Sequence, residues 1–501
     1  MLNAPLHIDG SRLTLDLLVA VARSGVQVRL DDGARVEMER SHAWVQLAVE
    51  GDRPVYGVNT GYGSLARKRI PREKLNELSR NLVRSHAAGV GKPLGQDVAR
   101  ATVLLRANAL AKGMSGCSIG MVELLLELLN RGVTPVLPSQ GSCGSSGDLA
   151  PLSHLGLIIG HAAHDPDEET GEAWVDGERL SGREALNRVG LEPLVLGPKE
   201  GLALTNGAQV TTAITALALH DAQMTLDLAE LAAAMSIEAL RGVTRAFHPL
   251  VIACRPYPGV VASAAALLRH LEGSELVDTV PGKVQDAYSL RCAPQILGAA
   301  RDALGFVDRQ VAVELNAVTD NPVIAVDAEG DDKAFSSGLF HGEPVGMAAD
   351  FLKVAVAEIA SLAERRIYRL MTSTLSNGLP PLLQKGSGVG LFALQTSAAS
   401  LVSECKALSY PASVDSIPTC EDQEDHVAMS TTAARRAAEV VVNARRVVAI
   451  ELLCAHRALR MQSGKLGAAT SRAADVLDAV TGVTPSEQLR STEALLPQLL
   501  F

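Results

Sequence analysis

Four stretches of this chain carry a sustained helical period: Thr211 to Arg241, Ile296 to Val318, Val345 to Met371 and Ala428 to Leu459. Helices of that length pack most easily side by side, as a bundle with roughly parallel or antiparallel axes. Their apolar faces are broad, which predicts burial on several sides and contacts between subunits. Aromatic residues make up only 3% of the chain, and Ala and Leu dominate, which reinforces a helical reading. The expected fold class is therefore mainly α, with a long central helix bundle and a smaller mixed N-terminal part. At 501 residues the chain exceeds one ordinary core. The expected division is an N-terminal domain over 1–200, the central bundle over 201–464 and a C-terminal helical segment over 465–501.

The first part mixes short helical patterns with Gly- and Pro-rich turns. His164 to Asn187 is polar and reads as a surface excursion, with a short hairpin around Trp174. Gly201 to His220 is an uncharged run of membrane-span length. Its Asn206, Gln209, His220 and threonines favour a buried helix over a span. The net charge of -10 argues against nucleic acid or an anionic membrane as partner. Seven cysteines without a CxxC spacing fit reduced thiols in a cytoplasmic protein. Met1 to Asp9 lacks the basic and apolar regions of a signal peptide.

The chemistry concentrates in Gly141-Ser142-Cys143-Gly144-Ser145-Ser146-Gly147-Asp148-Leu149-Ala150-Pro151-Leu152-Ser153-His154. A Gly/Ser-rich loop alone is usually only a turn. A serine hydrolase built on Ser146, Asp148 and His154 would lack the GxSxG elbow and pack its triad into one short segment. A phosphate loop would need a following Gly-Lys-Ser/Thr. The whole stretch resembles the signature of the aromatic amino acid ammonia-lyases. In that family an Ala-Ser-Gly tripeptide cyclises into 4-methylidene-imidazol-5-one (MIO), an electrophile made from the backbone. The resemblance implies the same ring here from Ser145, Ser146 and Gly147. The Gly147 amide nitrogen attacks the Ser145 carbonyl carbon, and two dehydrations follow, the second removing the Ser146 hydroxyl. A side chain at Gly147 would obstruct so compressed a turn. Ser145 replaces the usual Ala, and because only its carbonyl enters the ring, its side chain is expected to point away.

Further blocks carry the same resemblance. Tyr56-Gly57-Val58-Asn59-Thr60-Gly61-Tyr62-Gly63 is similar to the family's catalytic tyrosine loop, mapping the proton-transferring phenol onto Tyr56 and suggesting a mobile lid. Lys283 to Cys292 matches another block, in which Gln285, Tyr288 and Arg291 recur about one turn apart and would share a helix face. Arg291 suits a bidentate grip on a carboxylate, and Tyr288 would act near the electrophile. Asn206 matches the Asn that contacts the ring oxygen or substrate, and Phe340 an aromatic near the site. Glu314 to Pro322 is expected to be mainly structural.

Two positions speak to substrate. His86 within Arg84 to Gly89, and Glu424 within Gln423 to Val427, look like the histidine branch of the family. A carboxylate beside a phenyl ring would be stranded, whereas an imidazole gives it a partner. Pro411 to Thr419 also matches that branch. The chain departs from the family at Gly388 to Phe392 and at Cys420-Glu421-Asp422, where the pattern is small and neutral. These extra acids are expected to raise the pKa of Glu424 or alter ring recognition.

The resemblance thus implies elimination of ammonia from L-histidine to trans-urocanate, with Tyr56 or Glu424 as the β-proton base. No metal or diffusible cofactor is implied. It also implies a bundle of the fumarase–aspartase type and a cytoplasmic homotetramer with shared sites. The alternatives are a tyrosine or phenylalanine lyase, a 2,3-aminomutase on the same scaffold, and a non-catalytic helical scaffold.

Overall fold

The computed structural model describes residues 4–62, 68–162, 164–384, 386 and 390–500. Gly63 of the tyrosine loop and Gly388-Val389 lie outside the described residues. Helices dominate. The four long periods form helices over Gln209–Ala239, Ala293–Glu314, Glu343–Met371 and Ser430–Leu459. The second stops short of Val318 because Asn316 turns to the backbone of Leu13, accepting from its N–H and donating to its carbonyl, each at 2.9 Å. Phe392–Leu408 adds a 17-residue helix.

The uncharged run from Gly201 to His220 is buried, but it is not one helix. A short helix over Glu200–Thr205 ends at Asn206, and the next begins at Gln209. The cause is the fully buried Arg106, whose Nη1 donates to the Asn206 carbonyl at 2.8 Å and to Gln209 Oε1 at 3.0 Å. Those bonds divert a carbonyl that a continuous helix would use internally. A Cβ on Gly207 would lie 2.5 Å from Arg106 Nη1, so only glycine fits the break.

Strands are few and short. Trp174 does sit in a hairpin, Glu172–Val175 with Glu178–Ser181, but the segment is no mere excursion. The first strand also pairs with Thr134–Pro135, its Ala173 and Val175 are buried, and a helix over Gly182–Val189 follows. No described helix is long and apolar enough to cross a membrane.

The residues pack as two compact units, each discontinuous in sequence. The first comprises Met1–Leu217, Arg309–Ala349 and Pro411–Arg435; the second comprises Ala218–Asp308, Asp350–Tyr410 and Arg436–Phe501. Four of the five boundaries between these units fall inside the four long helices, and the fifth, between Tyr410 and Pro411, follows the Phe392–Leu408 helix.

In the first unit the helix over Gln96–Ala111 is buried without interruption from Ala101 to Ala111. Behind the helix break, Lys199 and Asp320 form a fully buried ion pair at 2.7 Å, and Thr319 Oγ1 accepts from Gln209 Nε2 at 2.6 Å. The Glu314 to Pro322 block thus contributes structural bonds, as its sequence suggested.

In the second unit the fully buried Arg366 grips Glu451 through Nε at 2.5 Å and Nη2 at 2.8 Å, and Ser236 adds a bond to Glu451. Removing one partner leaves an uncompensated buried charge. Arg366→Ala should therefore lower unfolding stability by about 3–5 kcal/mol, whereas a paired Arg366→Met/Glu451→Leu replacement should cost much less. Denaturant titration checks this, and a loss under about 1 kcal/mol for the single variant would contradict it.

Candidate active site

The loop from Ser142 to Asp148 is fixed by a backbone-to-backbone approach. Gly147 pairs with Gly207 in a parallel bridge, and the Asp148 N–H donates to the Gly207 carbonyl at 2.7 Å. A Cβ on Gly147 would lie 2.4 Å from the Gly207 carbonyl, and its φ is +73°. Both conditions demand glycine. The helix break at Gly207 is therefore the partner surface of the loop.

Asp148 anchors the loop's far end. Its fully buried carboxylate accepts from the hydroxyls of Ser142 at 2.9 Å, Thr211 at 2.9 Å and Thr431 at 2.7 Å, and from the Thr211 N–H at 2.7 Å. Burial pushes its pKa up despite these bonds. These partners leave Asp148 committed to structure, and His154 instead accepts from the Gly89 N–H at 3.3 Å, so no hydrolase triad forms with Ser146.

Two side chains, Asn206 and Glu424, bond Ser145 and Ser146 of the tripeptide. Asn206, 4% exposed, donates Nδ2 to the Ser146 carbonyl at 2.7 Å, while its buried Oδ1 has no partner among the described residues. Glu424 accepts from Ser146 through Oε1 at 2.6 Å and from Ser145 through Oε2 at 2.9 Å. The hydroxyl of Ser145 is thus directed to Glu424 rather than away into the surroundings. Thr419 also donates to Oε2, at 2.6 Å, across a tight hairpin closed by reciprocal backbone bonds between residues 419 and 424.

The expectation that Glu421 and Asp422 would raise the pKa of Glu424 is not met. Burial raises it, but hydrogen bonds from Ser146, Thr419 and Ser145, with the charge of His86, outweigh burial and hold it below the ordinary 4.5. Cys420, Glu421 and Asp422 instead form the hairpin tip, with φ of 53°, 54° and 62°.

His86 ends the Leu75–His86 helix. Its Nδ1 faces the Leu82 carbonyl at 2.9 Å, which can only accept, so Nδ1 carries a proton and donates it there. Tyr56 is half-buried beside Tyr62, whose own pKa is pushed up to about 12 by burial, with the charge of Tyr56 adding to it and a bond from Ser79 opposing. Asn59 pins this loop, accepting from the Val55 N–H at 2.7 Å and donating to the carbonyls of Ala48 and Arg53. Gly57 serves a left-handed turn against Leu202, so it answers a packing demand. Phe340 is half-buried in a segment tied to the loop by the Gly342 N–H donating to the Gly144 carbonyl at 2.9 Å.

Tyr56, His86, Ser145, Ser146, Gly147, Asn206, Phe340 and Glu424 all belong to the first unit. Gln285, Tyr288 and Arg291 belong to the second, where the expected shared helix face does not form. The helix there spans only Tyr288–Arg291, and exposed Gln285 precedes it in irregular chain. Asp286 breaks the pattern: its carboxylate turns inward to the Val243 N–H at 2.6 Å and to Lys283 at 2.6 Å. Arg291 lies over the ring of exposed Tyr288, 4.7 Å from its centroid. Sequence reasoning missed Thr419, Ser142, Thr211 and Thr431. Each is a common residue type whose role appears only when distant segments meet.

The residues fit an MIO ring. The glycine cradle admits the compressed turn, and Asn206 already holds the Ser146 carbonyl oxygen, which cyclisation would retain. Such a helical fold, with a glycine-cradled Ser-Ser-Gly loop faced by Asn and Glu, defines an ammonia-lyase scaffold. The aromatic amino acid lyase family model matches residues 13–480, and the chain belongs to that family. It is 50% identical over 465 residues to a histidine ammonia-lyase of Gloeobacter violaceus, covering 92% of this chain and 88% of that protein. A histidine ammonia-lyase from Trypanosoma cruzi superposes with a TM-score of 0.89 at 35% identity, over 99% of this chain and 94% of that one. A tyrosine aminomutase from Streptomyces globisporus superposes with a TM-score of 0.90 at 33% identity, over 99% and 97%.

Because Glu424 has a depressed folded pKa, its ionised form stabilises the fold above the unfolded value and that contribution is lost as pH falls through the folded value. The gap in Tm between the wild type and Glu424→Gln should therefore narrow below about pH 4.5. Thermal unfolding across pH 3–7 measures it, and a gap independent of pH would contradict the assignment.

Proposed function

We propose that this enzyme eliminates ammonia from L-histidine to give trans-urocanate. The observation that carries this reading is Glu424, a carboxylate held below its ordinary pKa at the tripeptide, with the charge of His86 acting on it. Phenylalanine or tyrosine would leave that charge against a ring with no nitrogen, whereas an imidazole donates to it. The similarity to proteins named histidine ammonia-lyase supports the same substrate.

The proposed prosthetic group is MIO formed from Ser145, Ser146 and Gly147, with no diffusible cofactor. It supplies an electrophile that captures the amine and improves ammonia as a leaving group. The remaining roles belong to side chains of this chain. Glu424 accepts the N–H of the substrate imidazole, and His86 binds the same ring beside it. Arg291 grips the carboxylate with its paired N–H groups. Gln285 and Tyr288 orient the amino acid, Phe340 packs against it, and Asn206 fixes the ring oxygen. Tyr56 exchanges the β-proton at its phenol oxygen, with Glu424 as the other candidate base.

We further propose a cytoplasmic homotetramer with shared sites. The seven free cysteines suit a reducing compartment. Exposed Val313, Met347, Phe351 and Val354 on the long helices suit burial between subunits.

Turnover of L-histidine, L-tyrosine and L-phenylalanine, measured side by side, tests the reading. Urocanate should form, with kcat/KM for histidine at least about 10⁴-fold above the others, the scale that leaving a polar site group unpaired produces. Ser146→Ala should reduce urocanate formation to background and remove the near-ultraviolet absorbance of the ring. Faster turnover of tyrosine, or a β-amino acid product, would contradict the proposal.

A further inference from the structure

Where the family usually has Ala, this chain has Ser145, and its hydroxyl bonds the residue on which the substrate reading rests. Glu424 uses its two oxygens differently. Oε2 accepts from Ser145 at 2.9 Å and from Thr419 at 2.6 Å, while Oε1 accepts, among the described residues, only from Ser146, at 2.6 Å. Cyclisation acts on these bonds unequally. Ring closure expels the Ser145 carbonyl oxygen as one water, taking hydrogens from the Gly147 and Ser146 nitrogens. The second water takes Ser146 Oγ and the hydrogen on its Cα. Ser145 Oγ belongs to neither water and survives on the finished ring's substituent.

We propose that Ser145 is a positioning residue that sets substrate recognition: after cyclisation its surviving hydroxyl clamps Glu424 Oε2 together with Thr419, leaving Oε1 free to accept the imidazole N–H. Oε1 is released where Ser146 Oγ departs, so the free oxygen faces the carbon that becomes the methylene. With Ala at 145, Thr419 alone would hold the carboxylate. The hydroxyl also favours the ionised carboxylate, the form able to accept. The titratable groups whose charges couple to Glu424 are His86 on its helix, Cys143 on the loop and Cys420 on the hairpin. Both thiols are pushed up, first by burial and then by Glu424, and so stay neutral through the range where the carboxylate titrates.

This inference rests on the histidine reading, and Ser145→Ala tests it. The intact mass should fall two waters below the variant's own sequence mass, as in the wild type, and the near-ultraviolet band should persist, showing that the ring forms. The KM for L-histidine should rise about tenfold, the effect of one lost charge-assisted hydrogen bond, with kcat changed much less. The acidic limb of kcat/KM should move to higher pH, because the ionised carboxylate has lost a donor. Urocanate binding, followed by calorimetry across the same pH range, should weaken in parallel. Ser145→Thr, which keeps the hydroxyl, should restore KM and the limb.

If Ser145→Ala cyclises and superimposes on the wild type in KM, pH profile and urocanate affinity, the clamp is overturned. If it fails to cyclise, the hydroxyl serves ring formation instead, which also overturns the clamp. A wild type that makes no urocanate at all would instead sink the histidine reading.

Discussion

Two glycines without side chains, pressed backbone to backbone, are the constraint on which the rest of this site depends. Gly147 and Gly207 come from segments sixty residues apart; a Cβ on Gly147 would strike the Gly207 backbone, and one on Gly207 would strike Gln209, Arg106 and Thr319. Their contact requires a helix to break at Asn206, and the break is stabilised from behind by buried Arg106 and by the Lys199–Asp320 pair. The same break turns the Asn206 amide toward the Ser146 carbonyl. Cradle, kink and oxygen-binding donor are one structural solution. Interrupting a buried helix costs free energy, and here the interruption coincides with the chemistry.

Glu424 joins that loop to the substrate reading. Burial alone would favour its neutral acid. Three hydroxyls and a nearby imidazole reverse the balance, so hydrogen bonding dominates desolvation at this half-buried group. Asp148, seven positions from the start of the same stretch, shows the opposite outcome: fully buried, it is pushed up even with several donors around it. Two carboxylates flanking one tripeptide thus differ because one reaches solvent and the other does not.

The parts of this architecture legible in the sequence were those with periodicity or a long motif. The four long helices were readable because apolar spacing persists over many turns, and the tripeptide because fourteen consecutive residues match one signature. The helix break inside Gly201 to His220 was not readable: composition shows burial, while the interruption depends on Arg106, a hundred residues upstream. The helix face expected for Gln285, Tyr288 and Arg291 failed for a related reason, since Asp286 is claimed by the distant Val243 backbone. Charge counting misjudged Glu424, because adjacency of Glu421 and Asp422 in sequence does not make them its hydrogen-bond partners. Thr431 carried no local signal, and Thr419 stood out only as the last residue of the Pro411 to Thr419 match, with nothing to tie it to Glu424.

The central claim is that Ser145, Ser146 and Gly147 close into a ring on this glycine cradle. Mass spectrometry of the peptide spanning Ser142 to Leu149, taken from the native protein, tests it most directly. A deficit of two waters localised to the tripeptide is expected. A peptide of full sequence mass, from protein that turns over L-histidine, would contradict it.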